Sequence, residues 1–267
     1  MTGLDAFLTA TAWQMTPPAA YGAFHLCFFF GGIFVSVLLA WRLRGLGERG
    51  NRILLFSVGL LLCIFELYKQ LFYYYVLYDQ HYAWHIFPFH LCSVPMYFCL
   101  LAPFLPEGKL RSATYDFMLA FNLMGGFLAF LEPSGLITAH WTLTLHAFAW
   151  HMTLVFIGLY LGFSRRAGRR VADFKPAALT FVVLCGIAFC INLIFRDVSG
   201  GAINMFFVGP TVSPIIVFNG IAEKFGWYVC TPLYMLSCCV GAFAFYYPFC
   251  LMNAHKPATI KRRHVTA

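Results

Sequence analysis

Charge is what this 267-residue chain has least of: Asp, Glu, Lys and Arg make up 10% of it, where a soluble domain carries roughly 25%. Apolar and aromatic residues reach 61%, against roughly 45–50% in soluble proteins. A water-soluble core of that size would leave too little polar surface to cover it. An ordinary soluble enzyme and a disordered chain are therefore excluded. No CxxC pair occurs among the ten cysteines, and nearly all of them lie inside apolar runs. Neither a zinc site nor a disulfide framework is expected; the cysteines read as small hydrophobes. Residues 1–18 contain no Lys or Arg, so a signal-peptide n-region is missing and the first apolar stretch is expected to be a retained helix. There is no P-loop and no HxxEH-like metal motif, and residues 227–249 hold no lysine for a retinal Schiff base.

What is present is a series of apolar stretches of the length that crosses a bilayer, about 20 residues each. They cover 19–40, 53–75, 86–105, 113–131, 141–163, 177–195 and 227–249. The expected fold is all-α, a seven-transmembrane-helix bundle forming one domain over residues 1–267. The net charge of +8 does not point to nucleic acid, because 15 of the 18 basic residues fall in short tracts between alternate spans. Those tracts are Arg42–Arg52, Lys109–Arg111, Arg165–Lys175 and Lys256–Arg263. The positive-inside rule places them in the cytoplasm, with the N-terminus external and the C-terminus cytoplasmic, in a multi-pass cell-membrane protein. On the opposite side Tyr73, Tyr74, Tyr75, Tyr78, Tyr82 and Trp84 resemble an interfacial aromatic belt. The connection 196–226 on that side is unusually apolar but broken by Gly209, Pro210 and Pro214. It reads equally as a lid dipping into the outer leaflet and as a plain connector.

Ionisable groups inside apolar spans cost about 2.5–3.5 kcal/mol each on insertion scales, so each needs a reason. Glu66 and Lys69 are three apart and share a helix face, which suits an ion pair turned inward, or a proton or headgroup contact. Asp116, Asn122 and Asn192 suit helix–helix hydrogen bonding. In the third stretch Pro88 fits the first turn of a helix, which would put Cys92 just past that turn, roughly 9 Å below its start. Pro95 would then leave the Leu91 carbonyl without its donor. On such a helix His90 and Cys92 point to nearly opposite sides. The fifth stretch offers His146 and His151, about 140° apart on a helix, so that only one of them could face a given thiol. Depth alone favours His146.

The segment Phe87-Pro88-Phe89-His90-Leu91-Cys92 resembles the LP-x-H-x-C segment of the YwaF-like bacterial integral membrane proteins. Leu119-Ala120-Phe121-Asn122-Leu123-Met124-Gly125-Gly126, Trp150-His151, and Asn192 followed by Asn204-Met205-Phe206-Phe207 match the same family in the same order. Asn204 departs from the familiar NYM pattern, being followed directly by Met205. This family is related to an animal ether-phospholipid acyltransferase and, more distantly, to the androgen-induced membrane hydrolases. The resemblance implies a lipid acyltransferase or hydrolase that works through an acyl-thioester on Cys92 with His151 as general base. It favours His151 over His146, against the depth estimate. His90, Asn122, His146 and Asn204 are the accompanying candidates for substrate contact, with no metal or other cofactor. Membrane phospholipid or lysophospholipid is the implied partner. The alternative is a transporter or channel whose polar pathway uses Glu66, Lys69 and Asp116.

Overall fold

The structure, a computed structural model, describes residues 3–210 and 215–254 and is helical throughout them, apart from connecting turns and one isolated bridge between Gln14 and His140. Pro214 and the basic residues Lys256, Lys261, Arg262 and Arg263 lie outside the described residues. The helices are α1 (Gly3–Ala10), α2 (Ala23–Leu43), α3 (Glu48–Phe72), α4 (Val94–Leu101), α5 (Lys109–Phe117), α6 (Leu123–Leu131), α7 (Trp141–Phe163), α8 (Phe174–Ile194), α9 (Ile216–Phe225) and α10 (Trp227–Ala254). A π turn, Tyr73–Leu77, prolongs α3, and another, Met118–Asn122, joins α5 to α6 without a break. Six of the resulting helical stretches are long and apolar enough to cross a membrane.

The exception is the third expected span. Residues 86–105 do not form one helix. A 3-10 turn at Trp84–Ile86 is followed by non-helical chain through Ser93, and the apolar helix covers only Val94–Phe104 including its final 3-10 turn. The reason is Pro95. In a helix started at Pro88 it would fall in the interior, remove a hydrogen bond and press its ring on the Leu91 carbonyl, at a cost of about 3 kcal/mol. Starting at Val94 puts Pro95 in the first turn instead, where its missing N–H costs nothing. The expected freed carbonyl at Leu91 therefore does not arise.

The two ends of the bundle are tied by different chemistry. At one end the Glu48 carboxylate accepts from Arg111 of α5 and from Arg166 Nη1 at 2.7 Å, while Arg166 Nη2 reaches the Leu46 carbonyl at 2.9 Å. Three of the basic connections thus meet at one carboxylate. Just inside, Asn51 joins α3 to Tyr115 of α5 and Tyr160 of α7, both at 3.1 Å. At the other end the chain before α2 lies on the start of α7, with Trp141 N donating to Trp13 O at 2.9 Å. Residues 86–111 return from that end: Gln70 Nε2 donates to Ile86 O at 2.8 Å, Phe104 packs on Phe56 at 5.6 Å, and Arg111 arrives at Glu48.

The continuous α5–α6 rod is the central element and the most buried of the six, whereas α2 lies along α7 at the periphery and exposes most of its apolar surface. Phe117, Phe121 and Phe181 stack at 5.0 and 4.6 Å to join the rod to α8. Contact with α7 is made through glycines, as is common where membrane helices approach closely. A Cβ on Gly126 would lie 2.8 Å from the His151 carbonyl oxygen, and one on Gly158 would lie 2.7 Å from Leu123 Cβ.

Candidate functional site

Beyond the π turn the chain reverses at Asp79 and Gln80, both with positive φ, and after the single 3-10 turn Trp84–Ile86 it runs as non-helical chain to Cys92. Short-range bonds shape this run. Phe89 N donates to Phe87 O at 2.7 Å, Ser93 N to His90 O at 2.8 Å, and the Tyr97 hydroxyl to Pro88 O at 2.7 Å. Cys92 is held in the turn ahead of α4 rather than on a helix, half-buried. Its carbonyl accepts the indole N–H of Trp150 at 3.0 Å. That bond fastens the Cys92 turn to α7 one residue before His151.

A cavity of about 240 Å³ opens there, and Cys92, His90, His146, Trp150, His151 and Lys69 line it. Tyr73, His85 and Thr138 line it as well. One expectation is corrected: His90 and Cys92 line the same cavity, because the chain between them is a turn and not a helix. His146 and His151 line it too.

The two histidines differ in what they hold. His146 Nε2 donates to the Phe65 carbonyl of α3 at 3.1 Å, and its ring stacks on Trp150 with centroids 5.6 Å apart. It bridges helices. His151 Nδ1 lies 2.7 Å from the Ala147 carbonyl, a bond that needs the proton on Nδ1 and leaves Nε2 as the acceptor nitrogen. An imidazole so arranged can take a proton from a neighbouring thiol. His90 Nε2 donates to the His85 carbonyl at 2.9 Å, and its ring meets Phe207 at 5.9 Å.

Among the described residues Lys69 is the only Lys or Arg that lines the cavity, and no carboxylate lines it. Its ammonium pairs with Glu66 at 2.9 Å, and Glu66 in turn accepts from Gln70 at 2.7 Å. Burial, with Lys69 nearby, holds His85 below the ordinary imidazole range, so that ring is neutral near pH 7.

The remaining polar residues lie elsewhere. Asp116 accepts from Gly168 N at 2.8 Å and from the Tyr246 hydroxyl at 2.9 Å, and it is not part of the cavity lining. Glu66, Lys69 and Asp116 are thus not brought together. Asn192 grips the connection that follows α8 rather than a second helix: its amide nitrogen donates to Met205 O and Val208 O, and its oxygen accepts from Met205 N at 2.7 Å. That connection enters the bundle, with Met205 and Phe206 buried and Phe206 on Phe89 at 5.7 Å. It packs on the segment that leads into Cys92, through Phe206 on Phe89 and Phe207 on His90. Asn122, on the π turn of the central rod, is buried with no hydrogen-bond partner for its amide among the described residues. Neither Asn122 nor Asn204 lines the cavity. Among the described residues no three His, Cys, Asp or Glu side chains are grouped to hold a metal. Trp150, His85 and Thr138 were not singled out from the sequence, and no local pattern marks them; Trp150 was visible only as the neighbour of His151.

No curated protein and no solved structure matches the chain. A family model does, that of the TMEM164 family, over residues 20–247.

Proposed function

Because the chain belongs to the TMEM164 family, we propose that it is a membrane-embedded lipid acyltransferase or lipid hydrolase acting on phospholipid acyl chains, in the cell membrane. The likeness to the YwaF-like proteins is part of the same reading. His151 Nε2 takes the Cys92 proton, and the thiolate attacks an acyl ester carbonyl. Collapse of the tetrahedral intermediate breaks the ester C–O bond, and the lysolipid alkoxide leaves with the proton from His151. The acyl group stays on Cys92 as a thioester. A lysophospholipid hydroxyl, or water, then gives its proton to His151, attacks the thioester and returns the thiol. The first acceptor makes a transferase, the second a hydrolase.

The observation that carries the reading is the common cavity of Cys92 and His151, which come from separate elements and are fastened by the Trp150–Cys92 bond. The size of the cavity supports it too. At about 240 Å³ it is below the roughly 300–1,000 Å³ of a pocket that engulfs a drug-sized ligand. It suits an ester and its glycerol, with the acyl chains left in the bilayer between helices. The proposed arrangement in the membrane has Val94–Phe104 and the turn before it completing a seventh crossing, and the Glu48 end facing the cytoplasm, as its basic connections require.

The test is mass spectrometry of purified protein incubated with a chain-labelled phospholipid. An acyl adduct on Cys92 is expected, absent in Cys92→Ala and slow to form in His151→Ala. Full lipid turnover by Cys92→Ala would overturn the mechanism.

A further inference from the structure

Building on the acyl-transfer reading, we propose that Lys69 reads the phosphodiester of the lipid whose ester meets Cys92, and so separates phosphate-bearing lipids from neutral glycerides. The argument starts from cost. An ammonium among apolar helices is expensive to hold, and Glu66 at 2.9 Å offsets that cost. A purely structural ion pair would be best served by facing the packed interior, yet Lys69 lines the cavity while Glu66 does not. Its carboxylate is fixed from the other side by Gln70, which also holds the Ile86 carbonyl at 2.8 Å. The pair is therefore braced from the helix side, with the cation presented to the cavity.

An ammonium has three N–H donors and no acceptor. Among the described residues Glu66 is its one ion-pair partner, so donors remain for a ligand. Among the described lining residues there is no carboxylate, so the ammonium is the one formal charge on the cavity wall, with its Glu66 counter-charge 2.9 Å away and outside the lining. Lys69 shares the cavity wall with Cys92 and His151. A glycerophospholipid carries its phosphate only a few bonds from its nearest ester, so one molecule can meet both groups. A neutral diglyceride would bury the ammonium and return nothing, and a site built on such a polar contact discriminates strongly against an analogue lacking it.

The probe is a diether phosphatidylcholine, which has the phosphate and no ester, compared with the matching diether glycerol and with sodium phosphate alone. Binding is read by thermal shift and native mass spectrometry of the purified protein in detergent. Wild type should bind the diether phosphatidylcholine about tenfold more tightly than the diether glycerol, the worth of one charge-assisted contact. Replacing the pair together, Glu66→Gln with Lys69→Met, should erase that preference, and Lys69→Arg should keep it. Equal binding of the two diethers by wild type would overturn the proposal, and this comparison holds even if the double variant does not fold. Sodium phosphate producing the same Lys69-dependent shift by itself would also overturn it, in favour of a free-phosphate site. Because the probe has no ester, this outcome is separate from the chemistry. Turnover surviving in Cys92→Ala would remove the acyl-transfer reading and leave the binding result intact.

Discussion

Adding one methyl group at Gly126 offers a steric test of how the candidate base is positioned. Gly126 of α6 faces α7, and a Cβ there would lie 2.8 Å from the His151 carbonyl oxygen, 3.0 Å from Val155 Cγ2 and 3.1 Å from Leu154 Cβ. Ordinary contact begins near 3.4 Å, so α7 must retreat by about 0.6 Å, the difference between 3.4 and 2.8 Å. The closest atom is backbone, so a side-chain rotation does not relieve the clash. Overpacking of this kind costs about 1–3 kcal/mol, while alanine's better helix propensity returns up to about 1 kcal/mol. Gly126→Ala should therefore lower the thermal midpoint in detergent. Gly125 is the internal control. A Cβ there meets nothing within 4 Å, so Gly125→Ala gains the propensity without the clash and should be neutral or stabilising. The two neighbouring substitutions should differ by about 1–3 kcal/mol. Function should follow. A displacement of about 1 Å at reacting groups can cost 10²-fold, so a shift of about 0.6 Å at His151 should lower Cys92-dependent turnover by roughly tenfold. Matching stability and turnover for the two variants would refute the claim that close α6–α7 packing sets His151.

Three further outcomes follow from the same geometry. Asn192→Leu removes three hydrogen bonds to the backbone of residues 205–208; at about 0.5–1.5 kcal/mol each the loss is about 1.5–4.5 kcal/mol, and hydrogen exchange should rise first at residues 203–208. Glu66→Gln leaves the Lys69 ammonium without its partner and should destabilise by roughly 3–5 kcal/mol; Glu66→Leu with Lys69→Leu should recover much of that in a thermal melt, and no recovery would mean that the pair itself is not the cause. A cysteine placed at Arg169 should resist labelling by an impermeant thiol reagent applied to intact cells, and ready labelling from outside would reverse the proposed orientation.

Several features could be read without coordinates, and the reasons are local. The helix Trp141–Phe163 has the same bounds in the sequence reading and in the structure, because an apolar stretch with no internal proline offers the backbone one economical conformation. The pairing of Glu66 with Lys69 follows from a three-residue spacing on one helix face. Three of the basic tracts appear in space as connections gathered on Glu48. The segment 86–105 was misjudged as one helix because hydropathy does not distinguish a helix from an apolar turn. Pro88 suits a helix start, but the cost of Pro95 in the interior of that helix moves the start to Val94.

The sequence by itself determined the membrane class, the positions of the long helices and the residue types available for chemistry, since all three rest on composition and on interactions within about one helical turn. The tertiary structure decided which of those residues share a cavity. Cys92 and His151 are 59 positions apart, and their sharing of one cavity follows from Trp150 reaching the Cys92 carbonyl, from Gly126 admitting α7, and from the Asn192-held connection packing on Phe89. The same packing placed Lys69 on the cavity wall and left Asn122 and Asn204 off it. Contacts of this kind are made between elements, and no spacing within one element encodes them.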